Sequence, residues 1–212
     1  MSYTHHEEET PDGFKLRIIA DEDAQDPRAE YDHVGTLYVP RGNRYLSGDK
    51  GGELSGDPED VWAILTGEPD EDGEPRTERY FYAPVGAYIH SGITVWMGAM
   101  GASRTSGPCP WDSGTIGMIY CTEAKARETW PGLEGAELAS KVEECFRAEI
   151  QEFDQFLTGD VYGYVVESPE GVELDSLWSL YGSDYALEEG RGALKSAAER
   201  EREAKADYEG RC

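Results

Sequence analysis

Acidic residues dominate this chain, yet almost none of them falls between Tyr80 and Thr122. Over that stretch the only formal charges are Arg104 and Asp112, in a chain carrying 44 Asp and Glu against 19 Lys and Arg for a net charge of −25. A run so poor in charge within a chain so rich in it has to supply the interior. Its segments RYFYAPVGAYIHSGITVWMG and GTIGMIYCT are aromatic and β-branched, broken by Gly and Pro, and predict three or four strands at the centre of a sheet.

The remaining elements arrange themselves around that centre. FKLRIIA (Phe14 to Ala20) and VGTLYV (Val34 to Val39) read as two further strands extending the sheet at one edge, with the acidic stretch DEDAQDPRAEYDH between them as a loop. From Glu134 to Leu157 the apolar residues Leu138, Val142, Cys145, Phe146, Ile150, Phe153 and Leu157 recur at steps of three and four, which predicts one long amphipathic helix packed on the sheet. DVYGYVVES and ELDSLWSLYG, separated by a PEG turn, read as late strands, and DVWAILTG reads as a short helix between two Gly- and Asp-rich loops. The terminal ALKSAAEREREAKADYEG has high helix propensity but a thin apolar stripe, so a frayed helix is expected. The fold class is therefore α+β, a single domain over 1–212 with a mostly antiparallel sheet, one long packed helix and a C-terminal helix. Within it, 1–13 is read as a flexible acidic N-terminus, 14–180 as the body and 185–212 as the helical tail.

Composition excludes several classes. With 38% apolar residues, 13 Tyr and 5 Trp, the chain can offset the entropy of ordering itself, so a folded body is expected. No apolar run approaches the ~18 residues of a membrane span, and the polar MSYTHHEEETPDG lacks the apolar stretch of an export signal, which predicts a soluble cytoplasmic protein. Cys109, Cys121, Cys145 and Cys212 are widely spaced with no C-x-x-C pair, which favours reduced thiols over disulfides or zinc. Direct binding to nucleic acid or an anionic membrane is disfavoured because the Lys and Arg clusters that contact phosphate are missing. A basic protein surface is the partner such a charge selects.

Candidate site residues fall into two groups. The polar side of the long helix carries Glu137, Glu143, Glu144, Glu149 and Glu152, read as an exposed carboxylate ridge, with Asp21, Glu22, Asp23, Asp70, Glu71 and Asp72 in acidic loops. The second group is a possible pocket of His90, Trp111, Asp112 and Ser113, where a His, an acid and a hydroxyl are the residue types of an activated nucleophile. No G-x-S-x-G elbow supports catalysis there, and the bland reading is a turn capped by Asp112 with Trp111 packed over a sheet edge. The acidic loops lack the Gly and distal Glu of a calcium loop, and no phosphate loop, dinucleotide fingerprint or HExxH occurs, so no metal, no cofactor and no enzymatic activity are expected.

Three fragments, YAPVGAYIHSGITV, PCPWDSGTIGMIYCTEAKAR and EIQEFDQFLTGDVYGYVVES, followed by a Trp-containing strand and YGSD, carry a resemblance. Across about residues 80 to 184 the chain resembles a widespread uncharacterised family encoded by phages, plasmids and archaeal viruses. That family has a Cys-Pro-Trp-Asp-Ser-Gly core before a Gly-x-Ile-Tyr strand, and a Leu-Thr-Gly-Asp-Val-Tyr-Gly string after a helix. The resemblance implies a mobile-element setting and no particular mechanism, and the acidic front end and tail depart from the family pattern. Joined to the charge, it points to an acidic DNA mimic of the anti-CRISPR or anti-restriction type that occupies the basic cleft of a host DNA- or RNA-binding defence complex. Two alternatives stand beside it. Surplus carboxylate with only 6 Lys also fits adaptation to a salt-rich cytoplasm, although Glu (28) outnumbers Asp (16). The His90 pocket is the third reading.

Overall fold

The structure is a computed structural model that describes residues 3–41, 45–98 and 113–209. In chain order the elements are β1 (Thr4–Glu9), β2 (Lys15–Ala20), α1 (Pro27–Glu30), β3 (Thr36–Tyr38), α2 (Pro58–Thr66), β4 (Tyr80–Ile89), β5 (Ile93–Met97), β6 (Ser113–Thr122), α3 (Glu123–Thr129), α4 (Gly135–Thr158), β7 (Val161–Glu167), β8 (Glu173–Tyr181) and α5 (Ser183–Glu209). The class is α+β, every strand pairing is antiparallel, and the long helix and C-terminal helix are both present. Contacts divide the chain into two compact units, Asp26–Thr158 and the pair of segments Met1–Gln25 and Gly159–Cys212. No helix among the described residues is long and apolar enough to cross a membrane.

The unit Asp26–Thr158 is built on a four-stranded sheet in the order β3-β6-β4-β5. Strand alternation sorts its side chains onto two covered faces. Leu37, Val85, Ala87, Val95, Ile119 and Cys121 pack with Leu138, Val142, Phe146, Ile150 and Phe153 of α4. Each of those α4 side chains is buried, and each such burial stabilises by about 1.5–3 kcal/mol. Tyr38 and Tyr120 turn the other way and pack with Val61 and Leu65 of α2. Gly67, at φ 77°, gives α2 a left-handed C-terminal cap that its Ala63 and Ile64 carbonyls accept from. The charge-poor run thus needs its apolar character on both faces, as expected of a central sheet.

The second unit holds the sheet β1-β2-β7-β8 with α5 across one face. Two expectations are corrected here. The strands β2 and β3, read as extending one sheet at one edge, belong to different sheets, because β2 pairs along its whole length with β7, from Lys15 opposite Glu167 to Ala20 opposite Tyr162. The N-terminus is not a flexible tail over Thr4–Glu9 but an edge strand paired to β2. It escapes sequence reading because THHEEE has no apolar alternation; an edge strand tolerates charge, and here the His5 ring lies 4.8 Å from that of Tyr162 while Glu8 pairs with Arg191.

The C-terminal helix likewise docks rather than frays over its first half. Ala186, Leu194, Ala197 and Ala198 are buried against Leu16, Ile18, Tyr164 and Val166. Its apolar stripe is thin because the helix approaches closely: a Cβ on Gly190 would lie 2.8 Å from Leu16 Cδ1. Further along, Arg202 pairs with Asp12 at 2.6 Å.

Candidate functional site

The expected carboxylate ridge on α4 is only partly a ridge. Glu149 points inward, 9% exposed, into a cluster built around the Arg28 guanidinium, itself 4% exposed. Arg28 Nη1 donates to Glu149 Oε2 at 3.2 Å, Nε donates to Asp49 Oδ1 at 3.0 Å, Nη2 pairs with Asp49 Oδ2, and Nη2 also donates to the Gly35 carbonyl at 2.7 Å. The carboxylates close the remaining gaps: Glu149 accepts from the backbone of Val34 at 2.8 Å and Gly35 at 3.1 Å, and Asp49 accepts from Leu37 N at 2.7 Å. His33 adds its ring, with Nε2 2.9 Å from the Pro27 carbonyl. This satisfied cluster clamps the α1–β3 segment and the loop at Asp49 onto α4, and it takes Glu149 out of any docking surface.

Neighbouring groups report the same burial. Glu152 is half-buried, and its carboxyl is pushed up by burial and by the Glu149 charge against the opposing pull of His33 and Arg28. The Cys145 thiol is pushed up to about 12 by burial and by Glu149, to which its Sγ donates at 3.4 Å, and burial pushes Cys121 up to about 11. Both are free thiols whose neutral form burial favours. Of the five ridge residues, Glu137, Glu143 and Glu144 stay exposed, and two of these are tied to bases on their own helix, Glu143 to Arg147 at 2.8 Å and Glu144 to Lys141 at 3.0 Å.

The loop acids also separate. Asp21 is structural: its Oδ2 accepts from Ser179 N at 3.0 Å and lies 3.3 Å from Ser179 Oγ, holding the positive φ of 60° at Ser179, while its Oδ1 accepts from Asp23 N. Glu22 and Asp23 remain exposed. Asp70 organises its turn by accepting from Asp72 N and Glu74 N, and Asp70, Glu71 and Asp72 are all exposed.

The stretch around α2 carries a surface of which sequence reading named only Asp70, Glu71 and Asp72. Asp57, Glu59, Asp60, Glu68, Glu74 and Glu78 join Asp70, Glu71 and Asp72 in being exposed, and none of the nine lies within salt-bridge distance of a base among the described residues. Arg76, the basic residue among them, donates its Nε to the Glu68 carbonyl. In their midst Trp62 (45% exposed) meets Tyr82 (37%) edge to face, ring centroids 5.7 Å apart. The readable signal was DPEDVW, where Glu59 and Trp62 stand three residues apart and so share one face of a helix whose Val61 and Leu65 face the sheet.

Of the pocket residues, Trp111 and Asp112 lie outside the described residues, as do Cys109 and Cys212. His90 is exposed in the β4–β5 turn, stacked on Tyr88 at 6.2 Å, and Ser113 opens β6 opposite Tyr88. The topology therefore brings the start of β6 within two residues of His90 along the neighbouring strand. Comparison with protein-family models, with curated proteins and with solved structures returned no match.

Proposed function

We propose that this chain is a non-enzymatic counter-defence protein of a phage or mobile element, an acidic DNA mimic that occupies the basic cleft of a host nucleic-acid-binding complex. The observation that carries this reading is the surface over residues 57–78: nine exposed carboxylates, free of basic partners among the described residues, around the exposed Trp62–Tyr82 pair. Duplex DNA offers a charge per ~1.7 Å of axis, and a basic cleft shaped for it rewards dense carboxylate in the same way. The aromatic pair supplies the desolvated anchor that charge alone lacks, since interface energy concentrates on such side chains. The proposed docking surface therefore shifts from α4 to α2 and the loop after it, where Asp70, Glu71 and Asp72 were already candidates.

The test is capture from host lysate at low and high salt with wild-type protein and with a variant carrying Asp57→Asn, Glu59→Gln, Asp60→Asn, Asp70→Asn, Glu71→Gln and Asp72→Asn. A DNA- or RNA-binding protein held by the wild type, released by salt and lost by the variant supports the reading; equal capture by both overturns it. One observation favours a second reading, adaptation to a salt-rich solvent: exposed carboxylates also occur in the other unit, on β1, on the β7–β8 turn and along α5. That reading predicts a protein that folds only at molar salt.

A further inference from the structure

We infer that the end of α5, from Glu199 to Glu209, is an electrostatic strap, closed over one corner of the β1-β2-β7-β8 sheet by the chain's own cations and opened by cations that compete with them. The inference is independent of the surface over residues 57–78 and concerns the other unit. Burial divides α5 in two. Up to Ala198 the helix is held by apolar contact, through Ala186, Leu194, Ala197 and Ala198. Between Glu199 and Asp207 no side chain is buried, and Ala204 and Ala206, the apolar residues of that stretch, are both exposed. A helical end of about three turns without packing is marginal in water, so another contact has to hold it in place.

That contact is charge. Arg202 reaches back to the β1–β2 turn, where its Nε donates to Asp12 Oδ2 at 2.8 Å and its Nη2 lies 2.6 Å from the same oxygen, and its guanidinium sits over the Phe14 ring, 5.8 Å from the centroid. Arg200 lies 3.9 Å from Asp175 on β8, and Lys205 lies 3.8 Å from Glu170 in the β7–β8 turn. These three are all the bases between Glu199 and Asp207, and each is spent on an acid of the sheet. The acids between them, Glu201 and Glu203, bring like charge to the same corner, so closure is a balance of attraction and repulsion. Pairs this exposed are individually weak, and screening over about 30 Å at 0.01 M salt tightens to about 3 Å at 1 M. Opening takes the guanidinium off Phe14 and frees Asp12, Glu170 and Asp175 for the cation that displaced the helix.

Amide exchange across residues 199–207 of the full chain reads the strap, with the Leu194 amide as reference for the docked part of α5. Raising NaCl from about 0.01 M to about 1 M should cut protection of the segment by about tenfold or more, and the Phe14 ring resonances should move with it. Leu194 should hold or gain protection, because screening relieves the self-repulsion of a chain at −25. A hexa-arginine amide should open the segment at an ionic strength where NaCl does not. Arg202→Gln should leave it open at low salt, whereas Glu199→Gln, which removes an acid and none of the three pairs, should keep the wild-type response. Protection that survives 1 M salt or hexa-arginine, a loss that Leu194 shares, or an Arg202→Gln segment as protected as wild type overturns the inference.

Discussion

Arg28→Ala removes the counter-charge at the centre of the largely buried cluster and leaves the two carboxylates Asp49 and Glu149 without it. At 4% exposure the guanidinium makes hydrogen bonds to both acids and to the Gly35 carbonyl, so the loss is that of a broken buried pair, about 3–5 kcal/mol. Against a domain stability on the order of 5–15 kcal/mol this is a large share. With a urea m-value of about 2 kcal/mol/M it lowers the unfolding midpoint by about 2 M, followed by tryptophan fluorescence, since Trp96 and Trp130 lie in the same unit. Adding Glu149→Gln to Arg28→Ala should cost less than the sum of the two single changes, with a coupling of about 1 kcal/mol or more, because the amide still accepts from Val34 and Gly35 without a charge to neutralise. An Arg28→Ala protein within about 0.5 kcal/mol of wild type would refute the assignment of this cluster as the clamp of the unit.

Four further outcomes follow from other contacts. Glu152→Gln should raise the midpoint at neutral pH: a carboxyl raised by burial contributes stability below its unfolded value of 4.5 that is lost as pH rises through the folded value, so the gain should vanish below that pH in a pH series of melts. Glu8→Gln should cost less than about 1 kcal/mol at neutral pH, as an exposed pair does. Its carboxyl is held down to about 2 by the Arg191 hydrogen bond, so that difference should persist above 4.5 and fade as pH drops towards 2. Asp21→Ala should cost about 1–2 kcal/mol by denaturant titration, without changing partner capture, because its carboxylate serves Ser179. Gly117→Ala should be more damaging than Gly86→Ala in the same titration, since its Cβ would stand 2.0 Å from the Tyr38 carbonyl oxygen, a backbone atom, whereas the Gly86 Cβ meets the Trp96 ring at 2.5 Å and the ring can shift.

The central sheet was legible in the sequence because burial leaves a direct trace in charge: a two-faced sheet cannot carry Asp and Glu, and 80–122 carries almost none. The long helix was legible from its period. Glu149 was misassigned by type although its position was informative, standing three residues after Phe146 and four before Phe153, at the middle of the buried stripe. An acid at such a place implies a buried base, and Arg28, more than a hundred residues away, is invisible to any local pattern. The edge strand β1 and the division into two sheets were hidden for a related reason, since both depend on pairing between segments separated by most of the chain. The short helix α3 did leave a signal, Thr122 ahead of EAKARET, with its hydroxyl capping Lys125 N at 3.1 Å. The Trp62 face was missed because Trp was counted towards the core, and only the sheet shows which side of α2 is already occupied by Val61 and Leu65.

The central claim is that the carboxylates around α2 stand in for a nucleic-acid backbone, and competition tests it most directly. The captured partner is loaded with labelled duplex DNA and titrated with wild-type protein at low and high salt. The account predicts that the protein displaces the duplex, that displacement weakens steeply as salt rises, and that the 57–72 amide variant fails to displace while a Glu137→Gln, Glu143→Gln, Glu144→Gln variant still does. A ternary complex in which protein and duplex bind together, or displacement undiminished in the 57–72 variant, would contradict it.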